Sequence, residues 1–309
     1  MRGELVLDLV VKAVAYSSCI GIGAAAITLI YNATRTFNFA HASMVAWGMY
    51  VVFASTCLFG YTPYHYLPLA ALFGSFLGLA IYGAVNRRLL KAKAKEISLM
   101  MSTLGVDLIL FGFLNVFSDY LLRVYRLPAK YFILETRDFL IEFGGTQIRL
   151  VGIVAPVILV LVVVALHAFL TKTKLGIAMR ASIENPELAG LSGVNPELSY
   201  VLAWIIGGAL ASLSGGLLSL VITGYTAVGM TIVVSFFAGA IVGGLYSVYG
   251  SLLGGFLVGL GEYLGVTLLA TLVGGWISAY RPAIPLAIMA ATLLTQPGGL
   301  AALLRGGRS

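Results

Sequence analysis

Leu198 to Gly261 reads LSYVLAWIIGGALASLSGGLLSLVITGYTAVGMTIVVSFFAGAIVGGLYSVYGSLLGGFLVGLG and contains no Asp, Glu, Lys or Arg. A helix that crosses the hydrocarbon core of a bilayer needs about 20 mostly apolar residues. This block alone therefore has room for two or more crossings. Thr36 to Asn86 is a second block free of charged residues. In hydrocarbon the backbone must satisfy its own hydrogen bonds, which leaves helices or closed barrels. The ten-residue alternation of a barrel strand is absent from the chain. The whole sequence is 60% hydrophobic and 10% charged, against about 25% charged in a soluble domain. The expected fold class is an all-α integral membrane protein, a polytopic helical bundle forming one domain over residues 1–309.

Working outward from the charge-free blocks, apolar runs predict spans near residues 12–31, 39–59, 66–86, 97–117, 151–170, 199–221, 232–249, 252–273 and 282–296. The segments around 37–47 and 224–250 are polar or Gly-rich enough to be broken or re-entrant, so eight to ten crossings fit. The N-terminus carries Glu4, Asp8 and Lys12 through its apolar run. That is a poor cleavable signal and predicts a retained first helix.

The net charge is +7. Its carriers sit mainly in short loops, where they read as topology signals rather than as a nucleic-acid surface. Arg87, Arg88, Lys91, Lys93 and Lys95 form one cluster, Lys172, Lys174 and Arg180 a second, and Arg305 and Arg308 a third. With nine spans, an outside N-terminus places all three clusters, and the C-terminus, in the cytoplasm of an inner or plasma membrane. Residues 118–150 then lie outside, although they carry Arg123, Arg126, Lys130, Arg137 and Arg149 against Asp119, Glu135, Asp138 and Glu142. Within that outer segment two short runs flank Gly144-Gly145, the two-residue signal for a tight hairpin. It would serve as a docking surface or simply cover the helix ends.

Lys172 to Asn195, KTKLGIAMRASIENPELAGLSGVN, is a mixed-charge segment wedged between two oily regions. Its punctuation predicts a helix near Ile177–Ile183, a turn at Asn185-Pro186, a second helix to about Leu191 and a break at Gly193. Asn185 suits an N-cap, Pro186 the first helical turn and Glu187 the positive helix end. Such an elbow could stand out from the membrane and fit a groove on another protein, or be an ordinary solvated loop.

A few polar residues interrupt the apolar runs. Asn38 and His41, three apart and expected on one helical face, either line a path or hydrogen-bond between helices. Arg35 is expected at an interface or facing a wet cavity, because a charge at the bilayer centre is costly. Gly239, Gly243, Gly250 and Gly254 include four-residue spacings that let helices approach closely; they serve static packing or repacking along a path. Glu262 is the only acid after Glu197. An intramembrane carboxylate is a functional candidate, able to pair with Arg281, to be neutralised, or to sit near a mouth; Asp107 is a weaker case. Cys19 and Cys57 lie in apolar segments and imply no disulfide framework. His41, His65 and His167 show no metal spacing, and no nucleophile elbow appears. No G-x-x-x-x-G-K-[ST] occurs, so this chain does not cradle ATP phosphates by that device.

Gly176 to Glu197, GIAMRASIENPELAGLSGVNPE, resembles the coupling loop of ABC-importer permeases of the branched-chain amino acid type, within them the LivH type. The features that carry the resemblance are Arg180-Ala181, Glu184-Asn185-Pro186, Ala189 and Gly193-Val194-Asn195. NFAH at 38–41 and the Gly-rich FFAGAIVGGLYSVYGSLLGG at 236–255 resemble further stretches of that family in the same order. Here NFAH is followed by Ala42-Ser43 where the family usually has Gly, and Gly244-Leu245-Tyr246-Ser247 stands where it often has Gly-Ile-Gly-Ser. The resemblance implies a permease-type bundle whose loop at about 172–197 couples to an ATPase through Gly176, Arg180, Ala181, Glu184, Asn185, Pro186, Ala189 and Gly193. Asn38, His41, Gly239, Gly243, Gly244 and Glu262 would line the path or pack its helices. It also implies partners: a second permease subunit, two cytoplasmic ATPase subunits and an external solute-binding protein. No cofactor is expected on this chain, and ATP would be used by the partners. The substrate would be a branched-chain or other hydrophobic amino acid, and the chain a transport subunit rather than an enzyme. The competing reading is a stand-alone secondary transporter or channel for a small neutral solute, which would need its own coupling-ion ligands or filter.

Overall fold

Helix α1 (Arg2–Thr34) carries charged residues only as far as Lys12; from Ala13 to Ile30 it is apolar on every side and its side chains are almost all buried. A helix without a polar face belongs in the middle of a bundle, and that is where it lies in this computed structural model, which describes residues 2–143 and 146–305. The chain continues through α2 (His41–Phe59) and α3 (Leu67–Ile81), which runs on through a π turn at Tyr82–Asn86 into α4 (Arg87–Lys91). Next come α5 (Glu96–Val124), a hairpin of β1 (Leu140–Phe143) and β2 (Thr146–Arg149), and α6 (Val151–Lys172). Two short helices follow, α7 (Lys174–Glu184) and α8 (Pro186–Leu191), and then α9 (Pro196–Leu218). The last are α10 (Val228–Gly243), α11 (Val248–Val273), α12 (Ala283–Thr295) and α13 (Gly299–Arg305). Helices α6, α9, α10 and α11 pack around α1, while α2 and α3 pack against α9. The outward faces show Leu72, Phe76, Phe113, Val160, Leu268 and Leu272. Apolar surface of that extent needs lipid or another membrane subunit to cover it.

Among the described residues, eight helical segments are long and apolar enough to cross a membrane, and α10 is a shorter apolar helix. Its 16 residues give about 24 Å, less than the roughly 30 Å of hydrocarbon. The non-helical stretch 219–227 supplies the remainder. It pairs with the outer segment at one end of the bundle, where Phe132 and Gly224 exchange backbone hydrogen bonds of 3.0 and 2.9 Å. At the opposite end, beyond Gly244, Tyr246 lies under the Arg35 guanidinium, 5.1 Å from ring centroid to carbon. The predicted broken segment over 224–250 is thus a short helix completed by irregular backbone, and it runs from one end of the bundle to the other.

Those two ends organise the molecule. One carries the hairpin and the start of α1; Glu135, just before the hairpin, pairs with Lys12 of α1 at 3.0 Å and with Arg149 of β2 at 2.8 Å. The other carries α7, α8 and the end of α1. Helix α6 leads from the first to the second.

The outer segment begins later than the expected residue 118, because α5 stays helical to Val124. Ser118 and Asp119 read as a boundary, but both are used at the helix end. Ser118 Oγ donates to the Ala129 carbonyl at 2.9 Å, as does the Tyr50 hydroxyl at 2.7 Å. Asp119 pairs with Lys130 at 2.7 Å. Beyond it, Phe132 stacks on Phe53 with centroids 4.0 Å apart, so residues 129–134 cover the helix ends. The predicted hairpin is present, with Phe143 opposite Thr146 and Leu140 opposite Arg149. The Gly144-Gly145 turn lies outside the described residues, as does Arg308.

Candidate functional site

The elbow is built by local rules. Thr173 caps α7 by accepting a hydrogen bond from the Gly176 amide at 3.0 Å. Gly176 is buried where α7 folds back on α6, and a Cβ there would overlap the Phe169 carbonyl. Asn185 Oδ1 accepts from the Leu188 amide at 3.0 Å, with Pro186 at the first helical position. Gly193 then ends α8 with φ +83°. Val194 N–H donates to the Ala189 carbonyl at 3.0 Å and Gly193 N–H to that of Gly190 at 3.1 Å. This is the paired closure of a Schellman motif, which a left-handed glycine permits. Asn195 caps α9 through the Glu197 amide at 3.0 Å. Replacing Asn185 with alanine should cost about 1 kcal/mol, measurable as a lower unfolding temperature of the purified protein and as faster amide exchange in α8 alone.

The elbow is fastened as well as folded. Met179, Ser182 and Ala189 are buried, and the Ser199 and Ser182 hydroxyls bond at 3.1 Å between α9 and α7. Arg87 of α4 forms an ion pair with Glu197, so the basic cluster and the elbow meet. A cavity of about 310 Å³ at the elbow's base is lined by Asn32 and Arg35 from the end of α1 and by Ser182, Glu184 and Pro186. Arg35 takes φ +53°, which ends α1.

The motif residues divide into two sets. Gly176, Asn185, Ala189 and Gly193 shape the elbow, while Arg180, Ala181, Glu184 and Pro186 are exposed. Sequence reasoning missed Leu188 and Leu191, which are 60% and 87% exposed. The signal was two leucines three apart in a short helix flanked by charge.

The other candidates are dispersed. Asn38 does not share a helical face with His41: it lies in the irregular stretch after Arg35, and α2 begins only at His41. Both are buried. Asn38 Nδ2 reaches Met44 Sδ at 3.6 Å. The His41 ring packs edge-on to Phe236 at 5.2 Å, and neither ring nitrogen has a partner among the described residues. Neither residue lines the elbow cavity. Gly239 lies where a Cβ would come within 2.5 Å of Gly255 Cα, and one on Gly243 would overlap the Gly250 carbonyl. These spacings therefore bring α10 and α11 backbone to backbone. Gly244 turns the chain with φ +99° between those helices. Asp107 Oδ1 accepts from the Ser43 amide at 3.0 Å, and Ser43 Oγ donates to the Asp107 carbonyl at 3.0 Å. A carboxylate from α5 thus satisfies an orphan donor in the first turn of α2, at its positive end.

Glu262, inside α11, is 2% exposed. Its Oε1 accepts from the Tyr16 hydroxyl at 2.8 Å and from Arg281 Nε at 2.5 Å. The Arg281 guanidinium also stacks over Tyr16, 4.4 Å from its centroid. Glu262 is thus paired with Arg281, one of the three readings open to it. The pair also lines a cavity at the hairpin end.

The family model described as branched-chain amino acid transport system / permease component matches residues 9–295. The chain belongs to that family. It is 38% identical, over 93% of its own length and 90% of the relative's, to a probable branched-chain amino acid transport permease protein LivH of Methanocaldococcus jannaschii. It is 25% identical over 88% of both chains to the high-affinity branched-chain amino acid transport system permease protein LivH of Salmonella typhimurium. It is 26% identical over 88% of both to the corresponding BraD of Pseudomonas aeruginosa. No solved structure matches. The chain is accordingly a multi-pass transport subunit, and the elbow and the cavities belong to a permease.

Proposed function

We propose that this permease carries branched-chain or similar hydrophobic amino acids across a cell membrane as part of an ATP-driven importer. Its partners would be a second permease, two ATPase subunits on the elbow side and a solute-binding protein on the hairpin side. The observation that carries this reading is the elbow: two capped helices, fastened to α9 and α6, that present exposed leucines at one end of a lipid-embedded bundle. A structure closed by its own caps moves as a body. A partner gripping Leu188 and Leu191 would therefore tilt α9 and α6 with it, the rigid-body class of switching.

Charge supports the elbow end as cytoplasmic. Arg87, Arg88, Lys91, Lys172 and Lys174 lie there in short connections, as positive-inside topology requires. At the hairpin end several cations are matched, with Lys12 and Arg149 on Glu135 at 3.0 and 2.8 Å and Lys130 on Asp119. Two-sided labelling tests the orientation. With Cys19 and Cys57 replaced by alanine, Gln147→Cys should react with an impermeant maleimide from outside, and Leu191→Cys only after the membrane is opened. The reverse pattern would place the elbow where no ATPase can reach it. ATP-driven leucine uptake by the reconstituted complex, absent when the ATPases are omitted, tests the rest.

A further inference from the structure

The hairpin-end cavity has a volume of about 750 Å³, inside the roughly 300–1,000 Å³ range of small-molecule sites. Segments far apart in sequence wall it: the turn at 133–135, residues 221–232 in the stretch after α9 and the start of α10, and Glu262 with residues 278–282. Its lining offers two chemistries. Ile133, Val221, Ile222, Val228 and Ile232 are branched and apolar. Glu262, Arg281 and Glu135 are charged.

The charges differ in what they have left to give. Glu135 is occupied by Lys12 and Arg149. Glu262 uses Oε1 on Tyr16 and Arg281, while its Oε2 is buried with no partner among the described residues. Arg281 uses Nε on Glu262, and its Nη2 is likewise buried and unpartnered among them. A buried donor or acceptor without a partner is costly. Here one of each stands on adjoining members of one ion pair. A carboxylate alone would meet Arg281 but face Glu262, and an amine alone would meet the reverse. A molecule carrying both groups on one carbon satisfies both.

We propose that this cavity is a resting site for a zwitterionic amino acid with a branched aliphatic side chain. Both atoms are closed to solvent before it binds, so the Glu262 and Arg281 side chains turn toward the cavity as the ligand enters; its ammonium then donates to Glu262 Oε2, its carboxylate accepts from Arg281 Nη2, and its side chain lies among the Ile and Val residues. The inference rests on the permease reading above and names the place where its substrate pauses.

Two measurements on the assembled complex test it. In the unmodified complex, a diazirine analogue of leucine should label residues 221–232 or 278–282. Excess leucine should block the labelling; 4-methylpentanoate, which lacks the ammonium, and isoamylamine, which lacks the carboxylate, should block it at least about 10-fold less well. Label confined to other segments overturns the site. In the second measurement, Glu262→Gln should bring 4-methylpentanoate to within about 3-fold of leucine while isoamylamine stays weak. Arg281→Gln should do the opposite. If both variants weaken all three competitors by one common factor, the pair is only structural and the proposal fails. Should neither variant fold, the labelling of unmodified protein still decides. A complex that labels here yet shows no ATP-driven leucine uptake removes the importer reading and leaves the zwitterion site standing. Uptake with label elsewhere removes the site alone.

Discussion

Replacing Leu188 and Leu191 together with aspartate should lower ATP-driven uptake by about 100-fold while leaving the permease folded in the membrane. Both side chains point away from the protein, at 60% and 87% exposure, so the chain loses little packing. The geometry of α8 rests on other residues, the Asn185 cap and the Gly193 closure. An anchor buried in a partner's groove typically contributes about 2–4 kcal/mol, and two charged side chains in the same groove leave both unpaired and desolvated. Even the lower figure for one anchor corresponds to roughly 30-fold in affinity. Uptake and ATP hydrolysis in proteoliposomes, with recovery of the ATPase on the tagged permease, provide the measurement. Ala189→Asp is the contrast: Ala189 is buried, so that variant should lose the elbow's fold and be detected as protease-sensitive. Normal uptake by the Leu188/Leu191 variant would mean that the exposed face of α8 is not where an ATPase takes hold.

The elbow was legible in the sequence because its determinants are local. Asn185, Pro186 and Gly193 each act within a few residues, and the two helices, the turn and the break fall where those residues put them. The membrane class was legible for a different reason: lipid tolerates so few charges that their absence over 198–261 is sufficient. What failed was what depends on distant parts of the chain. The end of α5 was misplaced because Ser118 and Asp119 find partners in Ala129 and Lys130, and a polar pair in a sequence does not reveal whether it ends a helix or ties one down. The break after Arg35 put Asn38 off the helix, since a positive φ on an arginine carries no residue-type signal of the kind a glycine gives. Arg281 could be suspected as the partner of Glu262 because so few intramembrane charges exist. Tyr16, 246 positions away, and the cavity walled by three remote segments could not.

That buried triad gives the second large effect. Glu262→Leu should destabilise the permease by about 3–5 kcal/mol, because it removes the buried carboxylate that pairs with Arg281 and leaves that guanidinium, only partly exposed, against the Tyr16 and Tyr263 rings. At roughly 2 °C per kcal/mol for a long chain, the melting temperature should fall by about 6–10 °C. Tyr16→Phe should cost less, about 1–2 kcal/mol, since it removes one donor and leaves Glu262 with Arg281 at 2.5 Å. The decisive variant is the double replacement Glu262→Leu with Arg281→Leu. A buried ion pair exchanged for apolar residues of similar volume is often neutral, so the melting temperature should return most of the way to that of the parent. If the pair served only to hold α11 to the turn before α12, uptake would return with stability. If the two unpartnered atoms hold a zwitterion, stability returns and uptake does not, because the cavity then offers neither an acceptor for an ammonium nor a donor for a carboxylate. Thermal unfolding and ATP-driven leucine uptake, measured on the same preparation of this variant, separate the two roles.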